Sequence, residues 1–383
     1  MEGPYRICTR CVMDTSDPNI TFDEKGVCNH CRKHDYLVSK FIHSGNDGRR
    51  RLEKIVEGFK KEGEGKQYDC VIGVSGGVDS SHVAYLVKKL GLRPLAVHLD
   101  NGWDSELSHK NIELLLNKLD IDLYTYVMDW EMFRDLQLAF LRSSTPDTEI
   151  PTDHAIYALL HEKAEEFGLR HIINGCNVRT ETHVPLAWSY DNSDWRYVKN
   201  INQLFGTGNL KGYPHYNMFQ KYLYKTRIEW FSILNYVDYR KWDAVKILED
   251  EMGWRYYGGK HYESIWTRFY QGYILPRKFG YDKRRSHLSA LICSNETTRE
   301  KALEEMKGDP YPPNLLRDDL DFVLKKFELT PDEFEAMMAK PKKTYLDYPS
   351  YGRMVRPIVD SEMYGAFRNA YWKIWAKGTE PTK

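Results

Sequence analysis

The feature that most constrains this chain is a glycine turn between a predicted strand and a predicted helix. Residues 71–74 form a short run rich in β-branched side chains, which is typical of a buried strand. From Ser80 onward, apolar residues recur with helical spacing until Gly91 ends the pattern. The turn that joins the two elements consists of Ser75, Gly76, Gly77, Val78, Asp79 and Ser80.

A turn of this kind predicts a phosphate site. The first amides of a helix have no partners inside the helix, and the helix dipole adds positive potential at the same end. Adjacent glycines let the backbone approach an anion without a Cβ atom in the way. A Walker loop is excluded, because Glu64 follows Gly58 and Gly63 where lysine is required. A dinucleotide fingerprint is excluded, because Gly206 and Gly208 lack the third glycine.

Strands and helices alternate around this turn. We expect further strands at 94–99, 123–127 and 171–174, with helices at about 47–66, 105–119, 130–141 and 152–167. Such alternation predicts an α/β fold with a doubly wound parallel sheet. Ligands bind at the carboxyl ends of the strands in sheets of this type, so the strand ends near Ser75, Asp100 and Asn174 are predicted to share one site.

The turn resembles the pyrophosphate loop (PP-loop) of the ATP pyrophosphatase superfamily, whose members cleave ATP between the α- and β-phosphates and form an adenylylated intermediate. The resemblance implies that residues 75–80 bind the phosphates of ATP. It also implies adenosine contacts from Val97, His98 and Asp100, and a second glycine motif near the α-phosphate at Gly175. The candidate ligands for Mg²⁺, which prefers a few carboxylates plus phosphate oxygens, are Asp79, Asp147 and Glu181.

Two cysteine pairs near the N-terminus predict a metal module. Cys8 and Cys11 form one C-x-x-C pair, and Cys28 and Cys31 form another after a zinc-ribbon spacing of 16 residues. Four thiolates complete a closed tetrahedral site, so we expect the zinc to be structural. An iron–sulfur cluster stays open as the alternative, because four cysteines also ligate such clusters. His30 and His34 are expected at the surface, and residues 17–26 are expected to form a hairpin.

Composition limits the partners and the compartment. The 55 basic and 55 acidic residues balance, which gives no general attraction to nucleic acid or to anionic membranes. No apolar run approaches the roughly 18 residues that a membrane span needs, and no signal-peptide core is visible. We therefore expect a cytoplasmic protein without a membrane partner. The odd count of seven cysteines argues against a disulfide framework.

The second half of the chain is less regular. Residues 183–240 are crowded with aromatic side chains. Core packing is the more usual explanation for such a stretch, and a platform on which a sugar stacks is the more specific alternative. Residues 143–152 predict a polar loop at the sheet edge that could close over substrate. Residues 276–285 are rich in arginine and lysine, and form either a solvated basic face or a clamp for pyrophosphate or an anionic sugar. We expect three domains. Residues 1–45 form a four-cysteine zinc module, residues 46–185 form the domain that binds ATP, and residues 186–383 form a largely helical region that binds substrate or a partner.

Several segments together resemble the N-acetyl sugar amidotransferases of bacterial surface-polysaccharide synthesis, over roughly residues 5–305. The segments are Ile7 to Pro18 with Gly26 to Cys31, Asn174 to Glu181, Gly258 to Gly272, and Arg277 to Arg285. The resemblance implies an ATP-dependent ligase of lipopolysaccharide or O-antigen biosynthesis that makes AMP and pyrophosphate. It converts the acetamido group of a nucleotide-linked sugar into an acetamidino group through an adenylylated imidate, with Asp79, Lys260 and Arg284 as catalytic residues.

The same resemblance implies partners. Glu2 stands where an N-terminal glutaminase has a cysteine nucleophile, so ammonia is expected from a separate glutaminase with an ammonia-delivering subunit. The main alternative is a tRNA-thiolating enzyme of the same superfamily. That reaction requires a catalytic cysteine pair, and Cys176 lies beside the predicted ATP site without an evident second cysteine. A non-enzymatic zinc adaptor is the third interpretation, which the intact loop disfavours.

Overall fold

A parallel sheet with all strands in one direction forms the centre of the molecule. The computed structural model describes residues 4–259 and 261–359, with the backbone alone at 357–359. The strands in these residues are β1 Cys70–Gly73, β2 Pro94–Asp100, β3 Leu123–Val127, β4 His171–Asn174 and β5 Glu229–Ser232. Their order across the sheet is β3-β2-β1-β4-β5, and each neighbouring pair is parallel. The predicted α/β class is therefore confirmed.

Helices surround the sheet and make up most of the C-terminal half. Those that the structure describes are α1 Asn29–Phe41, α2 Gly45–Glu62, α3 Val78–Lys89, α4 Glu106–Leu119, α5 Trp130–Ser143, α6 Ile150–Glu166, α7 Val178–Glu181, α8 Trp195–Phe205, α9 Met218–Arg227, α10 Lys241–Ile247, α11 Ile265–Phe269, α12 Lys283–Cys293, α13 Arg299–Lys307, α14 Pro313–Phe327, α15 Pro331–Ala339 and α16 Tyr351–Val359. A π-helical segment, Tyr270–Phe279, continues α11. Within the described residues, no helix has both the length and the apolar character needed to cross a membrane.

The alternation of side chains along the strands divides the core in two. Val71 and Leu95 point to one face of the sheet, where they join the apolar residues of α5, α6, α11, α14 and α15. Ile72 and Ala96 point to the other face, where they meet α2, α3, α4 and α10. Both faces are thus buried, which explains why β1 and β2 are nearly continuous apolar runs.

The fifth strand was missed in the sequence. Glu229–Ser232 lies in the stretch where we expected no regular alternation, yet it pairs in parallel with β4, with Trp230 opposite Ile172. The strand is only four residues long and is dominated by aromatic side chains, which pack equally well in loops. Its pairing with an existing sheet edge, and not its local pattern, decides its conformation.

The N-terminal module is compact and packs on the C-terminal half. Single antiparallel bridges join Ile7 to Asp14 and Phe22 to Cys28, so the hairpin expected at 17–26 is reduced to one bridge. An ion pair of 3.0 Å joins Asp14 to Arg285 of α12. The Arg299 guanidinium donates to the carbonyl oxygen of Cys8 at 2.9 Å. The module is therefore fixed to distant parts of the chain and is not a free appendage.

Candidate active site

The glycine turn forms a cradle between β1 and α3. Gly76 has φ +74°, and a Cβ atom there would lie 2.4 Å from the Ser108 hydroxyl oxygen. A side chain at this position would be both strained and blocked, so glycine is required. The Ser108 hydroxyl donates to the Ser75 carbonyl at 2.9 Å, and the Trp254 indole donates to the Gly76 carbonyl at 3.2 Å. These donors hold the loop carbonyls in place.

A cavity of about 510 Å³ lies over this turn, at the carboxyl ends of β1, β2 and β4. Of the predicted ATP-binding residues, those that line it are Ser75, Gly77, Val78, Asp79, Ser80, Val97, His98 and Gly175. Gly76 belongs to the turn but does not line the cavity. Asp100 lies at the end of β2, where its carboxylate accepts a hydrogen bond of 2.9 Å from the Gly102 amide. The predicted meeting of three strand ends is therefore present in the fold.

The cavity is rich in carboxylates. Those in its wall are Asp79, Asp104, Asp147, Glu149, Asp153, Glu181 and Glu263. Burial raises the pKa of Asp147, and it raises the pKa of Glu149 to about 8 and that of Asp153 to about 6. Among the described residues, Glu149 Oε1 and Glu263 Oε2 are buried without a hydrogen-bond partner. Buried oxygens of this kind are suited to a ligand that brings cations or donors.

The donor set fits Mg²⁺ bound together with ATP. Asp79, Asp147 and Glu181 line the same wall, as predicted, and the Tyr239 hydroxyl donates to Asp79 Oδ1. In the described part of the chain, these three carboxylates do not hold their oxygens close enough to form a finished cation site. Mg²⁺ normally keeps waters and takes phosphate oxygens as ligands, so an open arrangement suits it.

A buried histidine, His98, is paired with the acid Asp104 at the end of β2. His98 Nδ1 donates to the Val74 carbonyl at 2.9 Å, and Nε2 lies 3.1 Å from Asp104 Oδ2. Burial by itself lowers the pKa of His98, but the Asp104 carboxylate outweighs burial and leaves that pKa above its ordinary value. The His98 ring therefore lies paired with Asp104 beside the predicted adenosine site.

A second cavity of about 480 Å³ adjoins the first. The two cavities share a wall made of Thr180, Glu181, His261, Gln271, Lys283 and His287. Lys283 brings positive charge to this wall from the first turn of α12. A group bound in the second cavity would therefore lie next to the phosphates of a nucleotide bound in the first.

Comparisons with known proteins match two segments that contribute residues to this site. Residues 51–137, which include the glycine turn, match the family model described as NAD synthase. Residues 263–359 match the model described as LPS biosynthesis protein WbpG-like, C-terminal domain. The chain carries an NAD synthase-like PP-loop domain and a WbpG-like C-terminal domain. This combination confirms the family resemblance that the sequence motifs indicated.

Individual relatives are more distant. The uncharacterized protein MJ1599 of Methanocaldococcus jannaschii is 28% identical over 171 residues, which is 44% of this chain and 58% of that protein. The tRNA-specific 2-thiouridylase MnmA of Colwellia psychrerythraea is 26% identical over 151 residues, which is 36% of this chain and 38% of that protein. The chain thus spans between about a third and three fifths of the length of these curated relatives.

Two solved structures are similar at a low level. The NMN synthetase of Francisella tularensis is 21% identical, with a TM-score of 0.27 over 35% of this chain and 57% of that one. The ammonia-dependent NAD synthetase of Campylobacter jejuni is 16% identical, with a TM-score of 0.29 over 78% of this chain and 98% of that one.

The WbpG-like domain supplies more than half of the residues that line the second cavity and a smaller share of the first, including residues that the sequence did not single out. Glu263, Thr267 and Gln271 line the PP-loop cavity. The Thr267 hydroxyl donates to Glu149 Oε2 at 2.8 Å, which links the two domains inside the site. Glu149 and Asp153 were missed because acids near a helix start are usually caps, and their burial depends on packing from more than 100 residues away.

Two further residues, Lys260 and Arg284, were predicted to be catalytic. Lys260 lies outside the described residues. Arg284 lines the second cavity and not the first, and its guanidinium binds the Asp282 carboxylate at 2.7 Å and the Gly308 carbonyl at 3.0 Å. These partners hold Arg284 at the wall of the second cavity, so its catalytic role stays a prediction.

Most of the basic segment is paired with other groups of the protein. Arg277 pairs with Glu335 at 2.6 Å, and the Lys278 ammonium donates to the Met337 carbonyl at 2.6 Å. Arg285 binds Asp14, as described above. Lys283 is the member of this segment that faces both cavities. The segment therefore ties the domain together and presents one lysine to the site.

The polar loop and the aromatic stretch have structural roles. The Tyr348 hydroxyl donates to the Ser143 carbonyl at 2.7 Å, and the Tyr270 hydroxyl donates to the Pro146 carbonyl, so the loop at 143–152 is anchored and does not project as a lid. Trp195 and Tyr216 stack on His154 of α6 at centroid distances of 5.6 and 4.8 Å. Much of the aromatic cluster is thus core packing.

The four predicted metal ligands are assembled. The sulfur atoms of Cys8 and Cys31 lie 3.9 Å apart, those of Cys11 and Cys28 lie 3.7 Å apart, and all four are buried. Tetrahedral zinc with Zn–S bonds of about 2.3 Å requires sulfur separations of about 3.8 Å. The separations therefore fit a closed site for one zinc ion. The iron–sulfur alternative rests on the ligand type alone, because four thiolates also ligate such clusters.

The two neighbouring histidines are not at the surface, so that expectation was wrong. His30 Nε2 lies 2.7 Å from Asp17 Oδ2, and His34 Nδ1 lies 2.8 Å from the Thr182 hydroxyl oxygen. Both rings are buried. The α1 helix carries them inward because it packs against α7 and α12. They brace the metal module against the rest of the protein.

Proposed function

We propose that this protein is the synthetase component of an ATP-dependent amidotransferase that acts on a nucleotide-linked N-acetyl sugar. It converts the acetamido group into an acetamidino group in LPS or O-antigen sugar biosynthesis. ATP is split into AMP and pyrophosphate, and ammonia is supplied by a separate glutaminase with an ammonia-delivering subunit. The protein works in the cytoplasm, where ATP and nucleotide sugars are made available.

The observation that carries this proposal is the shared wall of the two cavities. One cavity lies on the PP-loop, and more than half of the residues that line the other come from the WbpG-like C-terminal domain. An acceptor held in the second cavity can present its amide oxygen to a nucleotide in the first. Holding two reactants in this way turns a bimolecular step into an effectively unimolecular one.

The chemistry proceeds in two steps. The amide oxygen attacks the α-phosphorus of ATP, a phosphorus–oxygen bond forms, and pyrophosphate leaves. Ammonia then adds to the imidate carbon, and AMP leaves with the former amide oxygen. The loop amides and Lys283 stabilise the charge on the phosphates. Mg²⁺ held by Asp79 and Glu181, with Asp147 close by, would neutralise phosphate oxygens.

Glu149 is the candidate general base in this scheme. Its pKa of about 8 lets it exchange protons near neutral pH, and its carboxyl oxygen Oε1 is buried without a partner among the described residues. Addition of ammonia to the imidate carbon releases protons. Glu149 can accept one of them and pass it to solvent through the cavity.

The proposal is tested by incubating the purified protein with ATP, magnesium, ammonium and UDP-linked diacetamido sugars. We expect AMP, pyrophosphate and a sugar whose mass falls by the difference between oxygen and NH. Continued turnover to each product should depend on all three substrates. AMP formation that depends on tRNA and is absent with every sugar tested would overturn the proposal.

The similarity to a tRNA 2-thiouridylase over 151 residues makes thiolation the second candidate. Of the seven cysteines, all of which are described, Cys176 is the one in the wall of the PP-loop cavity. Replacement of Cys176 by serine therefore separates the candidates. Amidination should continue in the variant, whereas a reaction that depends on a cysteine at this site should stop.

A further inference from the structure

A second group of metal-ligating side chains lies directly beside the four-cysteine cluster. It consists of Cys31, His183 and Cys293, whose ligand atoms all lie within 4.8 Å of one another. The sulfur of Cys293 lies 3.6 Å from the sulfur of Cys31 and 3.7 Å from Nε2 of His183. Cys31 is thus common to both groups.

These separations match the edges of a tetrahedral metal site. With Zn–S bonds of about 2.3 Å and Zn–N bonds of about 2.0 Å, a tetrahedron has sulfur–sulfur edges of about 3.8 Å and sulfur–nitrogen edges of about 3.5 Å. The observed edges of 3.6 and 3.7 Å fit both values. Two of the three edges between these ligand atoms therefore have tetrahedral lengths, and the third, from Cys31 to His183, is within 4.8 Å.

The surroundings of His183 orient it as a ligand. Its ring is fully buried, and Nδ1 forms a hydrogen bond of 3.1 Å with the Thr182 hydroxyl. The same hydroxyl contacts His34 Nδ1 at 2.8 Å. Metal-binding histidines typically use the other ring nitrogen in this manner, because it fixes the ring and the tautomer. Nε2 is left facing Cys293.

The charge of the cluster favours another cation. Zinc with four thiolates carries a net charge of about −2, and this charge is buried. Cys293 adds a further sulfur to that environment at a relative exposure of 9%. A second divalent ion bound to Cys31, Cys293 and His183 would offset the negative charge inside the protein.

We propose that Cys31, His183 and Cys293 bind a second thiophilic divalent ion, Zn²⁺, with Cys31 as a thiolate that bridges the two metals. His183 also lines the second cavity, and a water molecule would complete the coordination of this ion. The ion joins α1, the segment after α7 and the end of α12. The inference rests on the cysteine and histidine geometry and does not depend on the proposed reaction.

Metal stoichiometry tests the proposal. The protein is stripped with a chelator, reconstituted with excess Zn²⁺, desalted and analysed for zinc per chain. We expect two ions in the natural protein, one in Cys293→Ala, and two in the control Cys176→Ser, whose cysteine is exposed. Reconstitution with Co²⁺ should give spectra of two tetrahedral ions that lose one set of sulfur charge-transfer bands in Cys293→Ala.

Two further variants guard against misfolding as an explanation. Cys293→His keeps a ligand and should retain two ions, whereas His183→Phe should retain one. One zinc per natural chain, unchanged in Cys293→Ala, would overturn the proposal and leave Cys293 as a thiol that donates to the Cys31 thiolate. Four irons with inorganic sulfide at the cluster would overturn it as well.

Discussion

The four-cysteine cluster and the PP-loop cavity both suit metals, but they are built in opposite ways. The cysteine sulfurs lie 3.7–3.9 Å apart, close to the separation that a bound ion requires. The carboxylates of the cavity share a wall without forming a comparable group among the described residues. The first arrangement is closed and leaves no position for substrate. The second is incomplete until a nucleotide brings its phosphates.

The difference follows from what each metal is for. A structural ion contributes its binding energy to folding, so its ligands gain by being held in place before function begins. In the proposed reaction the cation arrives with ATP and leaves with pyrophosphate, so a finished site would hold it too firmly. The four-cysteine cluster therefore stabilises the fold, whereas the PP-loop cavity holds carboxylates whose charge a bound cation would neutralise.

Replacement of Cys28 by alanine is expected to have the largest effect. Structural zinc contributes roughly 10–16 kcal/mol of binding free energy in small zinc domains, and the loss of one of four thiolates removes a large part of it. We expect zinc loss and a fall of at least about 3 kcal/mol in the free energy of unfolding. Metal analysis and urea denaturation measure both. If the Cys28→Ala variant kept the zinc content of the natural protein, the four-cysteine cluster would not be the zinc site and the comparison would fail.

Replacement of Asp79 by asparagine should affect only the cavity. Loss of one preorganised electrostatic group typically costs about 10²–10³-fold in rate, and we expect a loss of AMP formation in that range. Zinc content should stay the same. Glu113→Gln, on the exposed face of α4, is the matched control. An Asp79→Asn enzyme with natural turnover would remove this carboxylate from the mechanism.

Replacement of Glu149 by glutamine should have the smallest effect, and one that depends on pH. Burial raises the pKa of Glu149 to about 8 in the folded state. Its ionisation therefore takes away stability as pH rises from the unfolded value of about 4.3 towards 8. Glutamine does not ionise, so the variant should gain stability relative to the natural protein between pH 5 and pH 8.

Because each pKa unit corresponds to about 1.4 kcal/mol, the relative gain is a few kcal/mol at most. Unfolding by urea at both pH values, without ATP or Mg²⁺, measures it. If the free energy of unfolding differed between the variant and the natural protein by the same amount at pH 5 and pH 8, Glu149 would already be ionised in the empty cavity at pH 5. As Glu149 is the proposed general base, the same variant should also lose the rise in AMP formation that the natural protein shows as pH increases towards 8.

Local patterns predicted the elements well where one short segment decides the outcome. The strands at 123–127 and 171–174 have the predicted bounds, and the helix expected from residue 105 begins at Glu106. β5 was missed, since a four-residue aromatic strand is defined by its neighbour and not by its own pattern. The inward position of His30 and His34 was missed for a similar reason, because it depends on the packing of α1.

The sequence by itself determined the chemistry of short motifs. Glycine at 76 and 77 predicts a phosphate turn, and two C-x-x-C pairs predict four converging thiolates, because each motif folds through its own backbone and spacing. Only the tertiary structure decided which distant groups meet these motifs. Thr267 contacts Glu149, and Cys293 contacts Cys31 across more than 200 residues. Such contacts depend on burial and packing of whole domains, which no local pattern encodes.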